Sequence, residues 1–394
     1  MQHNIIGFDS TPRTRVVFGV DTIDRIGELA RDLKGSRVLI VTDRGIVQAG
    51  HVDRARKSLE EAGVKVAIFD SVRENPTTLD VDACVNAARA ADIDLLVGLG
   101  GGSSMDTAKG CNFLLSNGGE MKDYWGVGKA TQSMLPLIAV PTTSGTGSEC
   151  QSFALIADEK THNKMACGDP KAAARVAILD PALTVSQPRG VTACTGIDAI
   201  AHAVETAVTR KQNPLSSLYS RDSFRLLIGS FRRALACPDD LDARAAMQLG
   251  AAYAGTAIEN SMLGAAHSMA NPLTAHYNVV HGQAVGMMLP YIVRYNASIP
   301  ESTNSYREMA LSAGLVDAGV TGREAVDTAI DAINSCLNAA GFPSNLRECG
   351  VEEGDIPVMA AEAATQWTAN FNPRAIGAAE FETLYRSAFH GEAP

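Results

Sequence analysis

Four side chains in three separate segments have the composition of a divalent-metal site. Asp198 and His202 are four residues apart in the helical pattern TGIDAIAHAVETA, so they lie on one face, about one turn from each other. His267 and His281 follow in two later segments. Three imidazoles and one carboxylate suit Zn²⁺ or Fe²⁺. We therefore predict that these four residues form one metal site.

Each of these residues also has a simpler interpretation. A lone histidine among alanines is more often a hydrogen-bonded core or capping residue, and Asp198 with His202 is also compatible with an ordinary helical pair. His276, between two of the candidate ligands, is left open as a pocket residue. The simpler interpretation is adopted for His3, His51, His162 and His390.

Two glycine-rich loops precede these residues. The first glycine-rich loop, GLGGGSSMDTAKG (98–110), follows the apolar run DLLV and opens a helical pattern. Its glycines let the backbone approach a ligand, and the helix N-terminus presents N–H groups to an anion such as a pyrophosphate. The second glycine-rich loop, PTTSGTGSE (141–149), supplies hydroxyls and amides that suit phosphate or ribose. A tight turn and a polar turn are the alternatives.

The acid that would bind the cofactor ribose is predicted to be Asp43. The common dinucleotide-binding pattern places a carboxylate about 20 residues after the glycines, and none is evident there. Asp43 ends the strand-like run RVLIVTD (37–43). At that point a carboxylate would accept from a ribose 2′-hydroxyl and repel a 2′-phosphate, which favours NAD over NADP.

The pattern of predicted secondary structure changes once along the chain. Up to about residue 185, strand-like runs alternate with helical patterns, which is typical of βαβ units and a parallel sheet. From Pro188 onward, alanine-rich helical segments dominate. We therefore expect an α/β dinucleotide-binding domain over residues 1–186 and a helical metal-binding and substrate domain over 187–394. The predicted strands are 37–43, 64–70, 94–100, 134–143 and 174–180.

Composition excludes several classes of protein. The 34 basic and 44 acidic residues give a net charge of −10, and no dense basic patch predicts nucleic-acid binding. The N-terminus lacks the apolar core of a signal peptide, and no span of about 20 apolar residues occurs, so we expect a cytoplasmic protein without membrane contacts. The eight cysteines are scattered without a CxxC pair, which argues against disulfides and thiolate metal clusters.

The ordered motifs resemble those of the iron-containing, or group III, alcohol dehydrogenases. The resemblance implies a dehydroquinate synthase-like architecture: an N-terminal α/β dinucleotide-binding domain, an all-α C-terminal domain and an active site in the cleft between them. It also implies iron or zinc, NAD, and a homodimer or higher homo-oligomer. The motifs run through nearly all of the chain as RVVFG, VTDRGIVQAG, NPTTLDV, GLGGGSSMDTAKG, PTTSGTGSE, DPALT, TGIDAIAHAVE, AAHSMANPLTAHYNVVHG and FNPR.

The resemblance also assigns individual residues. Asp198, His202, His267 and His281 match the family's metal ligands. Many relatives carry a further histidine four residues after the third ligand, whereas this chain has Asn271, which cannot shuttle a proton near neutral pH. The positions that match contacts to the nicotinamide cofactor are Asp43, Asn75, Gly101, Gly102, Ser103, Asp106, Thr142, Thr143, Thr146, Lys164 and Leu183.

The function implied is metal-dependent hydride transfer between a nicotinamide cofactor and a small alcohol, aldehyde or ketone, with the metal as Lewis acid on the substrate oxygen. The alternatives are a hydroxyacid-oxoacid transhydrogenase, a zinc polyol dehydrogenase of the same superfamily, and a catalytically silent NAD-binding regulatory protein.

The substrate side rests on one conditional prediction. If residues 250–267 form one helix, Asn260 lies on the face of His267 and Glu259 is rotated about 80° away. Glu259 in the pocket would favour a polyol or a cationic group, and a solvated helix face is its alternative.

Overall fold

The computed structural model describes residues 7–161 and 163–392, so His3 and His162 lie outside the described residues. The chain divides into two compact units. The first is Thr11–Gln187, and the second contains residues 188–392 together with residues 7–10. The sequence analysis had assigned residues 7–10 to the α/β domain.

The first unit is built on a six-stranded sheet in which every pairing is parallel and the order is β1-β9-β6-β4-β2-β3. All five predicted strands are present. The strands are β1 (Arg15–Phe18), β2 (Arg37–Val41), β3 (Lys65–Phe69), β4 (Leu95–Gly100), β5 (Gly126–Val127), β6 (Leu137–Pro141), β7 (Phe153–Ala157), β8 (Lys164–Gly168) and β9 (Val176–Leu179). The helices are α1 (Ile26–Asp32), α2 (Arg44–Gln48), α3 (His51–Glu61), α4 (Thr78–Ala90) and α5 (Gly102–Asn117).

The central strands are apolar over nearly all of their length because both faces of the sheet are covered. Along β2, Leu39 and Val41 enter one hydrophobic core, whereas Val38 and Ile40 enter the other. Strands β4 and β6 are buried at every position. Such continuous apolar runs are typical of parallel sheets covered by helices on both faces.

The sheet brings the cofactor candidates to one edge. The two glycine-rich loops leave the carboxyl ends of β4 and β6, which pair directly, and Asp43 follows β2, which pairs with β4. The carboxyl ends of parallel strands meet at one edge, which is where α/β sheets bind their ligands.

The second unit is helical, and among its described residues the structure has no strand. Helix α6 is buried along most of its length. Among the described helices, none has the length and apolarity needed to cross a membrane. The helices are α6 (Arg189–Thr206), α7 (Pro214–Ala236), α8 (Leu241–Asn260), α9 (Ala265–Tyr277), α10 (His281–Asn296), α11 (Pro300–Ser312), α12 (Gly322–Ala340), α13 (Ile356–Thr365) and α14 (Ala378–His390).

The condition on which the substrate-side prediction rests is not met. Residues 250–267 do not form one helix, because α8 ends at Asn260 and α9 begins at Ala265, so the face relationship with His267 does not hold. The amide of Asn260 instead donates to the carbonyl of Thr256 and accepts from Ser10. Pro272 lies inside α9, which continues to Tyr277. Proline has no backbone N–H, so the helix lacks one hydrogen bond at that position.

Candidate active site

The four candidate metal ligands come from three helices of the second unit. Asp198 and His202 lie one turn apart on α6, His267 lies in the first turn of α9, and His281 begins α10. The Nε2 atoms of His202 and His267 both lie 3.5 Å from Oδ1 of Asp198, and Nε2 of His281 lies 3.8 Å from it. Donor atoms of Asp198, His267 and His281 all fall within 4.8 Å of one another. The structure therefore brings all four residues together.

The donor atoms at this centre are suited to a metal ion. Oδ1 of Asp198 and Nε2 of His267 are buried and have no hydrogen-bond partner among the described residues. Buried polar atoms normally have a partner. Two such atoms without one, facing each other, require a bound ion between them. One carboxylate and three imidazoles form the donor set expected for Fe²⁺ or Zn²⁺. His281 is the accessible member, with its side chain 35% exposed.

The electrostatics of the centre favour a cation. Burial opposes ionisation of Asp198, but the charges of the three nearby histidines outweigh it and hold the carboxyl pKa well below its usual range. Burial likewise disfavours an imidazolium at His267, yet Glu205 and Asp198 raise its pKa to about 9. A divalent cation would compete with that proton.

The neighbours of the centre include the position where the family pattern has a histidine. The side chain of Asn271 donates to Oε1 of Gln366 at 2.8 Å. Nε2 of His276 lies 2.7 Å from Oε2 of Glu362, and both side chains are more than one-third exposed. His276 thus pairs with Glu362 on the surface, and among the described residues no recorded contact joins it to the candidate ligands.

The two remaining described histidines keep their simpler interpretation. Nε2 of His51 lies 2.8 Å from Oγ of Ser186, and His390 lies near Glu353 on the surface.

The two glycine-rich loops approach each other closely in the first unit. A Cβ atom on Gly102 would lie 2.7 Å from Cγ2 of Thr146, and one on Gly101 would lie 3.6 Å from Cγ2 of Thr143. Gly101 is the N-cap of α5, which is 16 residues long. Side chains at these glycines would close the space between the loops. An anion placed there would meet the unpaired N–H groups of the helix.

The loops also contain hydroxyl groups that suit a polar ligand. Oγ of Ser104 and Oγ of Ser144 are buried and have no hydrogen-bond partner among the described residues. One belongs to each loop. A nicotinamide dinucleotide, with its phosphates and ribose hydroxyls, has the acceptors and donors that such groups require.

Asp43 lies at the mouth of the first glycine-rich loop. Its Oδ1 accepts from the backbone N–H groups of Gly45 and Ile46 and so caps α2. Its Oδ2 lies 3.5 Å from the point where a Cβ of Gly100 would stand. The carboxylate therefore has one oxygen committed to the fold and a second directed toward the loop.

The other cofactor candidates lie at three places in the first unit. Nζ of Lys164 donates to Oδ1 of Asn75 at 3.4 Å, and the charge of Lys164 also acts on Asp106. The backbone N–H of Thr142 donates to the carbonyl of Gly100, which fixes the second loop beside the first. Leu183 is buried in a hydrophobic core of the first unit.

Two comparisons with known families cover both units. The sequence profile described as "Iron-containing alcohol dehydrogenase" matches residues 12–181. The profile described as "Fe-containing alcohol dehydrogenase family, C-terminal" matches residues 192–389. The chain belongs to the iron-containing alcohol dehydrogenase family.

Individual relatives agree with this assignment. The 1,3-propanediol dehydrogenase of Klebsiella pneumoniae is 34% identical over 374 residues, which cover 94% of this chain and 96% of that protein. Lactaldehyde reductase of Escherichia coli (strain K12) is 32% identical over 369 residues, covering 92% and 96%. The crystal structure of a 1,3-propanediol oxidoreductase matches with a TM-score of 0.93 at 34% identity, covering 98% of this chain and 100% of that one. Membership of the iron-containing alcohol dehydrogenases confirms the predicted fold and an oxidoreductase function.

Three buried residues of this iron-containing alcohol dehydrogenase were not predicted from the sequence as site residues. Glu205 contacts His267, Lys109 contacts the second glycine-rich loop, and Glu149 lies in that loop with its side chain enclosed. Glu205 could have been noticed, because a glutamate in the apolar stretch three residues after His202 needs a buried partner. The identity of that partner depends on how a second helix packs against α6.

Proposed function

We propose that this protein is an NAD-linked alcohol dehydrogenase and aldehyde reductase whose divalent metal is held by Asp198, His202, His267 and His281. The observation that carries the proposal is the placement of three imidazole Nε2 atoms within 3.8 Å of one carboxylate oxygen. We propose iron as the metal because of family membership. Zinc is the alternative that the reconstitution experiment below tests.

The charges of the residues suit the reaction. When bound, the metal supplies Lewis-acid polarisation of the substrate oxygen. Asp198 contributes one negative charge and the histidines are neutral when they ligate, so a divalent site keeps a net positive charge for a substrate oxygen. Burial of Asp198, His202 and His267 keeps water away from that charge, which strengthens its effect.

The cofactor is proposed to bind at the edge of the sheet where the two glycine-rich loops meet. Asp43 would accept from the ribose 2′-hydroxyl and repel a 2′-phosphate, and its position beside Gly100 supports a preference for NAD. The proposed cofactor contacts are Asp43, Asn75, Gly101, Gly102, Ser103, Asp106, Thr142, Thr143, Thr146, Lys164 and Leu183.

The substrate is proposed to be a small alcohol, diol or hydroxyaldehyde. Relatives named for 1,3-propanediol and lactaldehyde support this class. Glu259, which is partly exposed near the end of α8, stays a candidate for selecting neutral over anionic substrates. We also propose, by resemblance alone, a cytoplasmic homo-oligomer.

The deciding experiment is metal removal and reconstitution. The full chain is stripped with a chelator, reloaded with Fe²⁺, Zn²⁺ or no metal, and assayed with NAD and NADP against a panel of short alcohols and aldehydes. We expect turnover only after reloading. Full NAD-dependent alcohol oxidation by the stripped protein would contradict the proposal.

A further inference from the structure

Glu205 lies on the same stripe of α6 as two candidate ligands. Asp198, His202 and Glu205 are spaced four and three residues apart, so the three side chains project from one face of the helix. The side chain of Glu205 is 3% exposed. A carboxylate buried to that degree is costly unless hydrogen bonds compensate the charge.

The compensation comes from the start of α9. Oε1 of Glu205 accepts from the backbone N–H of Ala266 at 2.6 Å, and Oε2 accepts from that of Gly264 at 3.1 Å. Oε2 also lies 2.5 Å from Nδ1 of His267. Because a carboxylate accepts hydrogen bonds, Nδ1 of His267 carries the proton, and its Nε2 presents a lone pair toward Asp198 when the imidazole is neutral.

Gly264 makes this arrangement sterically feasible. As the N-cap of α9 it has no side chain to satisfy the N–H groups of the first turn, and Glu205 does so from the neighbouring helix. A Cβ on Gly264 would stand 3.1 Å from Oε1 of Glu205 and 3.3 Å from Oδ1 of Asn372. A larger residue would therefore crowd the carboxylate.

We infer that Glu205 is a positioning residue for the metal centre: it holds His267 with Nε2 available to the metal and joins α6 to α9 so that ligands of both helices meet. This inference rests on the proposed role of His267 as a ligand. Loss of such an outer hydrogen bond to a ligating histidine typically weakens metal binding by about 10- to 100-fold.

The test is Zn²⁺ titration of the metal-free full chain by calorimetry. Glu205→Gln is nearly isosteric, but an amide cannot accept from Ala266, Gly264 and His267 together. Its NH₂ group would either donate to Nδ1 of His267, which moves the imidazole proton to Nε2, or face a backbone N–H. We expect the Kd for Zn²⁺ to rise about 10- to 100-fold in this variant.

Asp180→Asn is the matched control. The Asp180 carboxylate is fully buried and accepts from the backbone N–H groups of Asp21, Ile23 and Ala182 in the other unit. This control loses comparable hydrogen bonds, so we expect lower thermal stability with an unchanged Kd for Zn²⁺. An unchanged Kd in Glu205→Gln, alongside a weakened His267→Ala, would overturn the role of Glu205. An unchanged Kd in His267→Ala would overturn the ligand set itself.

A second measurement does not depend on the variant folding. In the Zn²⁺-loaded native chain labelled with ¹⁵N-histidine, we expect an imidazole Nδ1 proton with an Overhauser contact to the amide proton of Ala266. Observation of His267 as the Nε2-protonated form would overturn the inference.

Discussion

Lys109 of α5 holds Ser148 of the second glycine-rich loop by two hydrogen bonds from a single ammonium group. Nζ donates to the carbonyl oxygen of Ser148 at 2.6 Å and to its Oγ at 2.9 Å, and also to the carbonyl of Phe153 at 2.9 Å. Oγ of Ser148 in turn donates to Asp106 at 3.0 Å. Since Asp106 and Lys109 both lie on α5, in the helical part of the first glycine-rich loop, one helix fixes the geometry between the two loops.

Replacement of Lys109 by methionine should disturb both stability and cofactor binding. The variant leaves buried carbonyl oxygens of Ser148 and Phe153 without this donor, at a cost of about 1–3 kcal/mol for each unsatisfied group. We expect the free energy of unfolding in urea to fall by about 3 kcal/mol and NAD to bind more weakly by fluorescence titration. Lys57→Met, at a side chain 77% exposed, is the control. Unchanged NAD affinity would limit Lys109 to a role in folding.

Asp43→Asn should relax the preference for NAD. Asparagine caps a helix about as well as aspartate, so the bonds to Gly45 and Ile46 are retained while the charge is removed. We expect kcat/KM with NADP to rise relative to that with NAD, by about tenfold if the lost repulsion is near 1.4 kcal/mol. An unchanged ratio of the two kcat/KM values would place cofactor selection elsewhere.

His202→Ala should weaken metal binding as His267→Ala does. Nε2 of His202 is as close to Asp198 as Nε2 of His267 is, at 3.5 Å. We expect the metal content after dialysis to fall well below one ion per chain in both variants, measured by elemental analysis. His390→Ala removes a surface histidine near Glu353 and should retain the metal. Full occupancy in His202→Ala would reduce the ligand set to three residues.

Glu149 should make stability depend on pH. Burial raises the pKa of its carboxyl from 4.5 to about 7, although the charge of Lys109 partly opposes the shift. The folded protein therefore binds this proton more tightly than the unfolded chain, so the contribution of Glu149 to the free energy of unfolding is highest below pH 4.5 and falls as pH rises toward about 7. The loss from this group reaches up to about 3 kcal/mol.

Glu149→Gln removes the titrating group, so the difference in unfolding free energy between variant and native protein should shift in favour of the variant from pH 5 to pH 8. Denaturant titrations across that range measure it. Glu61→Gln, at a side chain 68% exposed, should show no such trend. A pH-independent difference for Glu149→Gln would contradict the raised pKa.

His276→Ala should leave the shape of the pH–rate profile unchanged. The imidazole pairs with Glu362 on the surface, and Asn271 is held by Gln366, so neither side chain supplies a proton relay from the centre. Steady-state kcat/KM measured from pH 6 to pH 10 tests this expectation. Asn271→Ala is the comparison variant. If an ionisation disappears from the profile in His276→Ala but not in Asn271→Ala, His276 acts as a proton relay and the expectation is wrong.

Much of the fold was predictable because its signals are local. The runs at 37–43 and 94–100 each have a continuous apolar centre, as is typical of strands covered on both faces, and these centres lie in β2 and β4. Strand β1 was missed because it is four residues long and lies at the sheet edge with most positions exposed. The break between α8 and α9 was missed because residues 261–264, SMLG, contain no proline and are compatible with a continued helix.

The sequence by itself determined which residues share a helix face and which types of ligand they offer, because a spacing of four residues places Asp198 and His202 together in any α-helix. Only the tertiary structure decided that Glu205 meets His267, that Lys109 meets Ser148 and that Asn271 meets Gln366. These contacts join residues far apart in the chain. Their geometry depends on how whole helices and loops pack, and no local spacing encodes that packing.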